Sequence, residues 1–246
     1  MEIFILYQII AHLLSDFILQ PQNWFDSKTV HGIRSPYMWW HVLVVFFASW
    51  AFSFAFAFVI FAACISISHL IIDSLKSLIG KQYVNKNKHF YIRLLLFLSD
   101  QLLHLIVILI ISIIWYKLYD VSFWGEEMPL YIPLIILAYL LCAKPTNLLI
   151  RSVLKSYSMI PGENREDLEK AGRLIVTMER VLALTFTLIG QYEAIGFIIA
   201  AKAILRFRDN ETGKTEYVLI GTLLSFGIVI LLGISIKIMT GVIIHI

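Results

Sequence analysis

Charge is scarce in this chain and cysteine scarcer, and each shortage closes off a class of protein. Acidic and basic side chains, 17 and 20 of them, make up 15% of the 246 residues, against roughly 25% in a soluble domain. That is too little polarity for an ordinary soluble fold. Cysteine occurs only as Cys64 and Cys142, both inside apolar stretches, which removes a disulfide framework and any zinc motif built on cysteine pairs. No basic module with interleaved aromatics stands apart, so no nucleic-acid partner is expected. Met1 to Leu14 has neither a basic leader nor a small-residue cleavage site, so it reads as a first membrane span and not as a removable signal. What is abundant is apolar side chain, 59% of residues, gathered into long runs. From Tyr37 to Ile72 there is no Asp, Glu, Lys or Arg, and runs of roughly 20 apolar residues match the hydrocarbon thickness of a bilayer.

The expected fold is all-α, a polytopic transmembrane bundle of about eight spans, at roughly 3–20, 37–55, 58–79, 92–117, 129–149, 173–189, 192–206 and 217–243. The sixth and seventh are short and meet near Gly190, as a tight hairpin or a partly re-entrant pair. Basic residues give an independent count. Lys28 and Arg34 follow the first span, Lys81, Lys86, Lys88 and Arg93 the third, Arg151, Lys155, Arg165, Lys170 and Arg173 the fifth, and Arg206, Arg208 and Lys214 the seventh. The loop after the fourth carries Asp120, Glu126 and Glu127 instead. Such alternation fits eight spans with basic loops in the cytoplasm and both termini on the other side. Residues 1–120 form an N-terminal four-span region and residues 121–246 a C-terminal region with a cytoplasmic loop at 150–173. Pro161 to Arg173 reads as a polar interfacial helix, and Trp24, Trp39, Trp40, Trp115 and Trp124 as an aromatic belt.

Within the spans sit three pairs of ionisable residues: His12 and Asp16, His69 and Asp73, Asp100 and His104. Residues four apart share a helix face, about 6 Å apart along the axis. The order is reversed only in the fourth span, which runs the opposite way to the first and third. All three helices therefore put the carboxylate nearer the cytoplasm and the imidazole one turn deeper. Carboxylates inside a membrane are costly unless paired, hydrated or bound to a cation. Imidazole and carboxylate are ligands for zinc, manganese or iron, so a divalent metal, one ion or two, is the expected cofactor. His41 is the seventh candidate ligand, and Gln20 and Gln101 extend the same faces as supporting donors. The plainer alternative is that each pair is a polar contact between helices. Lys28 and Lys76 lie on the same side, either as snorkelling anchors or as the receivers of an anionic head group. Glu179 is the candidate general acid or base, with an ion pair to Lys202 or Arg206 as its structural alternative.

The run from His12 to Gln20, with Lys28, His41, the segment His69 to Lys76 and the segment Asp100 to His104, resembles a bacterial membrane family catalogued as domain of unknown function 3307. The likeness covers about residues 3–115, and the C-terminal half is similar to a longer branch of that family. It implies a multi-pass protein of the bacterial inner membrane and supplies no activity. The zinc-protease signature His-Glu-x-x-His is absent from the sequence, which argues against peptide cleavage.

Three functions fit these residues. The leading one is a metal-dependent hydrolase acting on a lipid or lipid-linked phosphate or ester at the cytoplasmic interface, with Lys28 or Lys76 steadying the anionic group. The second is a transporter or channel for a divalent ion or protons. The third is a non-catalytic membrane subunit whose basic loops bind a soluble partner. Membrane lipids are the partners common to all three, and the sequence leaves the oligomeric state open.

Overall fold

The computed structural model describes residues 1–80, 90–119, 128–156, 166–206 and 212–241, and among them every regular element is helical. The basic segment Lys81 to Lys88, the acidic segment Asp120 to Glu127, Trp124, His89, His245 and Pro161 to Arg165 lie outside the described residues. Two compact units emerge, Met1–Pro133 and Leu134–Ile246.

In the first unit α1 (Glu2–Leu13) continues into a π-helical turn, Leu14–Ile18. The chain then turns by 85° into α2 (Gln22–His31). Pro21 and Gly32 explain the limits of α2. Proline is preset for a helix entry and lacks an N–H that would need a partner, while Gly32 sits at φ 60°, where a side chain is disfavoured. Helix α3 (Pro36–Ala51) opens on a proline in its first turn. A turn built on Ser53 and on Phe54 at φ 50° separates it from α4 (Val59–Ile79). The Ser53 hydroxyl donates to the Trp50 carbonyl at 2.6 Å and accepts from the Ala55 N–H at 3.2 Å. No charge or proline marks this corner. Helix α5 (Phe90–Leu118) completes the unit.

Helix α1 packs on α3 and α5, and α4 packs on the same two, so the four close a ring, with α2 against α3 and α4. Lipid gives no hydrophobic drive for helices to associate, so packing and internal hydrogen bonds must hold such a ring. At one end Phe4, Phe58, Phe61 and Trp115 meet edge to face with ring centroids 5.1–5.2 Å apart. Such pairs contribute about 0.5–1.5 kcal/mol each beyond burial. Trp115, expected in the interfacial belt, is buried in this cluster, whereas Trp39 and Trp40 are exposed. One turn further along the bundle, Gln8 and Ser49 bond reciprocally, at 2.6 Å between side chains and 3.0 Å from the Gln8 amide to the Ser49 carbonyl.

The second unit contains α6 (Tyr131–Cys142), which begins at the close of the first, then α7 (Lys144–Ser156), α8 (Glu166–Leu188), α9 (Tyr192–Arg206) and α10 (Thr212–Thr240). A bend of 44° separates α6 from α7. Pro145 accounts for it, since its ring collides with the carbonyl four residues back and offers no N–H. The stranded carbonyls are taken up by side chains: Leu141 by the Thr146 hydroxyl at 2.5 Å and Cys142 by the Arg180 Nε–H at 2.7 Å. Helices α8 and α9 form a tight hairpin through Gly190 at φ 79°. A Cβ at Gly233 on α10 would lie 2.6 Å from Cγ2 of Thr187 on α8. Gly233→Ala is therefore expected to lower stability by about 1–3 kcal/mol, as overpacking does, read as a reduced thermal midpoint in detergent. An unchanged midpoint would mean that α8 and α10 part freely.

Among the described residues three helices are long and apolar enough to cross a membrane, Phe56–Ile79, Leu94–Leu118 and Leu219–Thr240, and the number rises to five if each of two bent pairs is one span. Eight apolar segments were expected. Helix α3 has 16 residues and α9 has 15, about 24 and 22 Å at 1.5 Å per residue, short of a hydrocarbon layer of about 30 Å. Helix α8 is long, but charged residues crowd its first two turns.

Candidate metal centre

The ring of α1, α3, α4 and α5 surrounds a polar core made of the seven residues whose spacing pointed inward. His12, His41, His69, Asp73, Asp100 and His104 are buried, none more than 9% exposed, and the Asp16 side chain is 11% exposed. Asp16 lies within the π-helical turn. Such a turn holds one residue more than an α-turn and recurs at functional sites.

Distances across the core are short. Nε2 of His41 and Nε2 of His69 are 2.9 Å apart. Each is 3.3 Å from Oδ1 of Asp16 and 3.8 Å from Oδ2 of Asp73. A tetrahedral ion with bonds of about 2.0–2.1 Å separates its ligands by about 3.3 Å, so the two imidazoles lie near such edge lengths from each carboxylate. On the other side of Asp73, Oδ1 is 3.8 Å from Nε2 of His104, which is 3.5 Å from Oδ1 of Asp100. His12 Nε2 faces Oδ2 of Asp16 at 3.9 Å. Ring stacking orders the imidazoles, with His69 and His104 centroids 4.0 Å apart and planes 13° from parallel.

Satisfaction of hydrogen bonds is where the core departs from a set of structural contacts. Nε2 of His12, Oδ1 of Asp16, Oδ1 of Asp100 and Nε2 of His104 are buried with no hydrogen-bond partner. Buried polar atoms are nearly always paired, and unpaired ones call for an explanation. Here the atoms are unpaired because their lone pairs converge on shared space instead of on N–H groups. Three triads have donor atoms all within 4.8 Å of one another: His12, Asp16 and His69; His41, His69 and Asp73; Asp73, Asp100 and His104. The donor set fits a divalent ion by this measure and by its chemistry, with neutral imidazole and carboxylate matching zinc, manganese or iron.

Two lysines join the acids. Lys28, 7% exposed, donates to Oδ2 of Asp73 at 2.6 Å, and Lys76 donates to Oδ2 of Asp100 at 2.5 Å. Snorkelling would carry both ammonium heads outward, yet both turn inward to a carboxylate. Gln101 donates to the same Asp100 oxygen at 3.1 Å. Gln20 is buried, and its amide nitrogen has no hydrogen-bond partner. Glu179 belongs to the second unit and pairs there with Lys202. It is not among the residues that the first unit gathers.

Two features escaped the sequence. Helix α2 was read as a basic loop, although Pro21 and Gly32, eleven residues apart, were a start and a stop signal for it. Arg180, 1% exposed, is tied to Cys142, Asn147, Thr177 and Ser225. Its signal was a lone arginine in an apolar stretch.

A family model described as protein of unknown function (DUF3307) matches residues 3–130, the stretch that contains α1 to α5. No curated protein and no solved structure matches the chain.

Proposed function

We propose, from the premise that this chain belongs to the DUF3307 family, that it is a metal-dependent hydrolase of the bacterial inner membrane. Its substrate is a lipid or lipid-linked phosphate or ester at the cytoplasmic interface. In this reading the chain crosses the membrane several times, with both termini on the non-cytoplasmic side. The observation that carries the proposal is the convergence of seven imidazole and carboxylate side chains on unpaired donor atoms inside one helix ring.

Asp16, His41, His69 and Asp73 would hold the ion. A divalent ion there would supply Lewis acidity and would make a water beside it easier to deprotonate, near neutral pH where the ion is zinc. His104, 3.8 Å from Asp73 and 3.5 Å from Asp100, is the candidate acceptor of the water proton. Lys28 and Lys76 neutralise acid charge beside the reacting group. Hydrolysis uses one water: its oxygen ends on phosphorus or on the acyl carbon, the bond to the leaving oxygen breaks, and that oxygen takes the proton.

The aromatic cluster at one end of the ring favours this over transport. A transporter must open each side of its site in turn, and at the end remote from α2 that opening would have to break the edge-to-face contacts of Phe4, Phe58, Phe61 and Trp115. In proteoliposomes, release of a water-soluble head group or acyl chain that requires zinc or manganese, without flux of that ion, is the expected result. Ion flux without product would reject the enzyme, and so would full activity in ion-free protein.

A further inference from the structure

Asp73 faces two ways. Its Oδ2 lies 3.8 Å from Nε2 of His41 and 3.8 Å from Nε2 of His69, the imidazoles that would hold the ion with Asp16. Its Oδ1 lies 3.8 Å from Nε2 of His104, which is 3.5 Å from Oδ1 of Asp100. One carboxylate thus stands between two donor sets and gives an oxygen to each. Two-metal sites keep their ions about 3.5–4 Å apart, a separation that the two oxygens of one carboxylate can bridge.

The second set has the marks of a cation site in its own right. Oδ1 of Asp100 and Nε2 of His104 are both buried without a hydrogen-bond partner, close as they are. Lys76 at 2.5 Å and Gln101 at 3.1 Å both donate to Oδ2 of Asp100, so these two donors are spent on one oxygen and Oδ1 is left to the side of the imidazole. The donor atoms of Asp73, Asp100 and His104 lie within 4.8 Å of one another. All three residues come from α4 and α5, which pack together. Apart from Asp73, the set therefore borrows nothing from the first one.

We propose that Asp73, Asp100 and His104 form a second divalent-cation site, which shares Asp73 with the first and fills after it. The order follows from the donors. The first set offers four atoms, two of them 2.9 Å apart, whereas the second offers three at 3.5 and 3.8 Å and must take its ion beside the charge of the first. The proposal rests on the metal centre of the hydrolase reading and adds a control to it. The lone pair of Nε2 that His104 turns to the acids can bind an ion or a proton, and not both. An ion in the second set therefore removes the acceptor of the water proton, and excess metal switches the centre off.

The test uses the full chain in detergent, stripped by a chelator and titrated with Mn2+, the bound ions being counted from the loss of the free-ion signal in electron paramagnetic resonance. Two ions per chain are expected, the second bound at least about 10-fold more weakly. Ions that share a carboxylate are exchange-coupled, so frozen samples holding both should lose the isolated-ion spectrum and show a coupled one. Asp100→Ala and His104→Phe, which keeps a ring for the stack on His69, should each retain the first ion with its isolated spectrum and bind no second. A single ion per chain in the wild type, two uncoupled ions, or a second ion that survives either substitution would overturn the second site and leave the first standing. Loss of both ions from the folded variants would show one joint site and overturn it as well. A wild type that binds no ion at all would instead remove the metal reading itself. Should neither variant fold, the count and the coupling in the wild type still decide.

Discussion

His69→Ala is expected to abolish stoichiometric ion binding, with affinity lowered more than about 100-fold, because substitutions one shell further from a metal already cost 10–100-fold. The His69 side chain lies against four others of the core. Its Nε2 is 2.9 Å from His41, 3.3 Å from Asp16 and 3.8 Å from Asp73, and its ring stacks on His104 at 4.0 Å. Alanine removes a ligand and also the surface that orients a second imidazole. Asp100→Ala should likewise reduce the ion content, by a smaller factor, since Asp100 reaches the four-atom set only through His104 and Asp73. Elemental analysis beside circular dichroism checks both variants. A helical His69→Ala protein that keeps its full ion content would put the ion elsewhere and end the present assignment.

Arg180→Ala is expected to cost about 3–5 kcal/mol of stability, the largest effect of any single substitution in the second unit. The guanidinium donates to the Cys142 carbonyl at 2.7 Å and to Oδ1 of Asn147 at 2.5 Å, with Ser225 at 3.5 Å and Thr177 at 3.3 Å. Each buried acceptor left without a donor costs about 1–3 kcal/mol, and the Cys142 carbonyl cannot turn back to its own helix because Pro145 interrupts the ladder. Three helices and a kink therefore share one side chain. Arg180→Met, which keeps the apolar stem, should lose nearly as much, and Arg180→Lys somewhat less, because one ammonium cannot span both acceptors. Thermal unfolding in detergent measures the order. Equal midpoints for wild type and Arg180→Met would show that the bonds to Cys142 and Asn147 hold nothing together.

The inner core was legible because helical spacing is rigid. A pair four residues apart must share a face, and an inverted order must meet its counterparts on an antiparallel neighbour, so His12, Asp16, His69, Asp73, Asp100 and His104 could be grouped before any coordinates. His41 followed from depth alone. Hydropathy did less well on what crosses a membrane, because it registers apolar runs and not their length as straight helix. Helix α3 stops at Ala51 because Ser53 and Phe54 build a turn from local hydrogen bonds, and such a turn carries no charge to betray it. The inward turn of Lys28 and Lys76 was hidden for another reason. Long flexible stems reach either way, and only the position of Asp73 and Asp100 relative to α2 and α4 decides which. Trp115 was misassigned because an indole near a helix end looks the same from sequence whether it faces lipid or a neighbouring ring.

The π-helical turn at Leu14–Ile18 has one more effect. A wider turn takes in an additional residue, so everything after it is rotated by about 100° from where an unbroken α-helix would carry it. Asp16 stands inside that turn, with one oxygen toward His12 and the other toward His41 and His69. The same offset sets the direction in which the chain departs toward Gln22. A metal-facing carboxylate and the departure of the neighbouring surface helix thus lie within one short irregular stretch, Leu14 to Gln22.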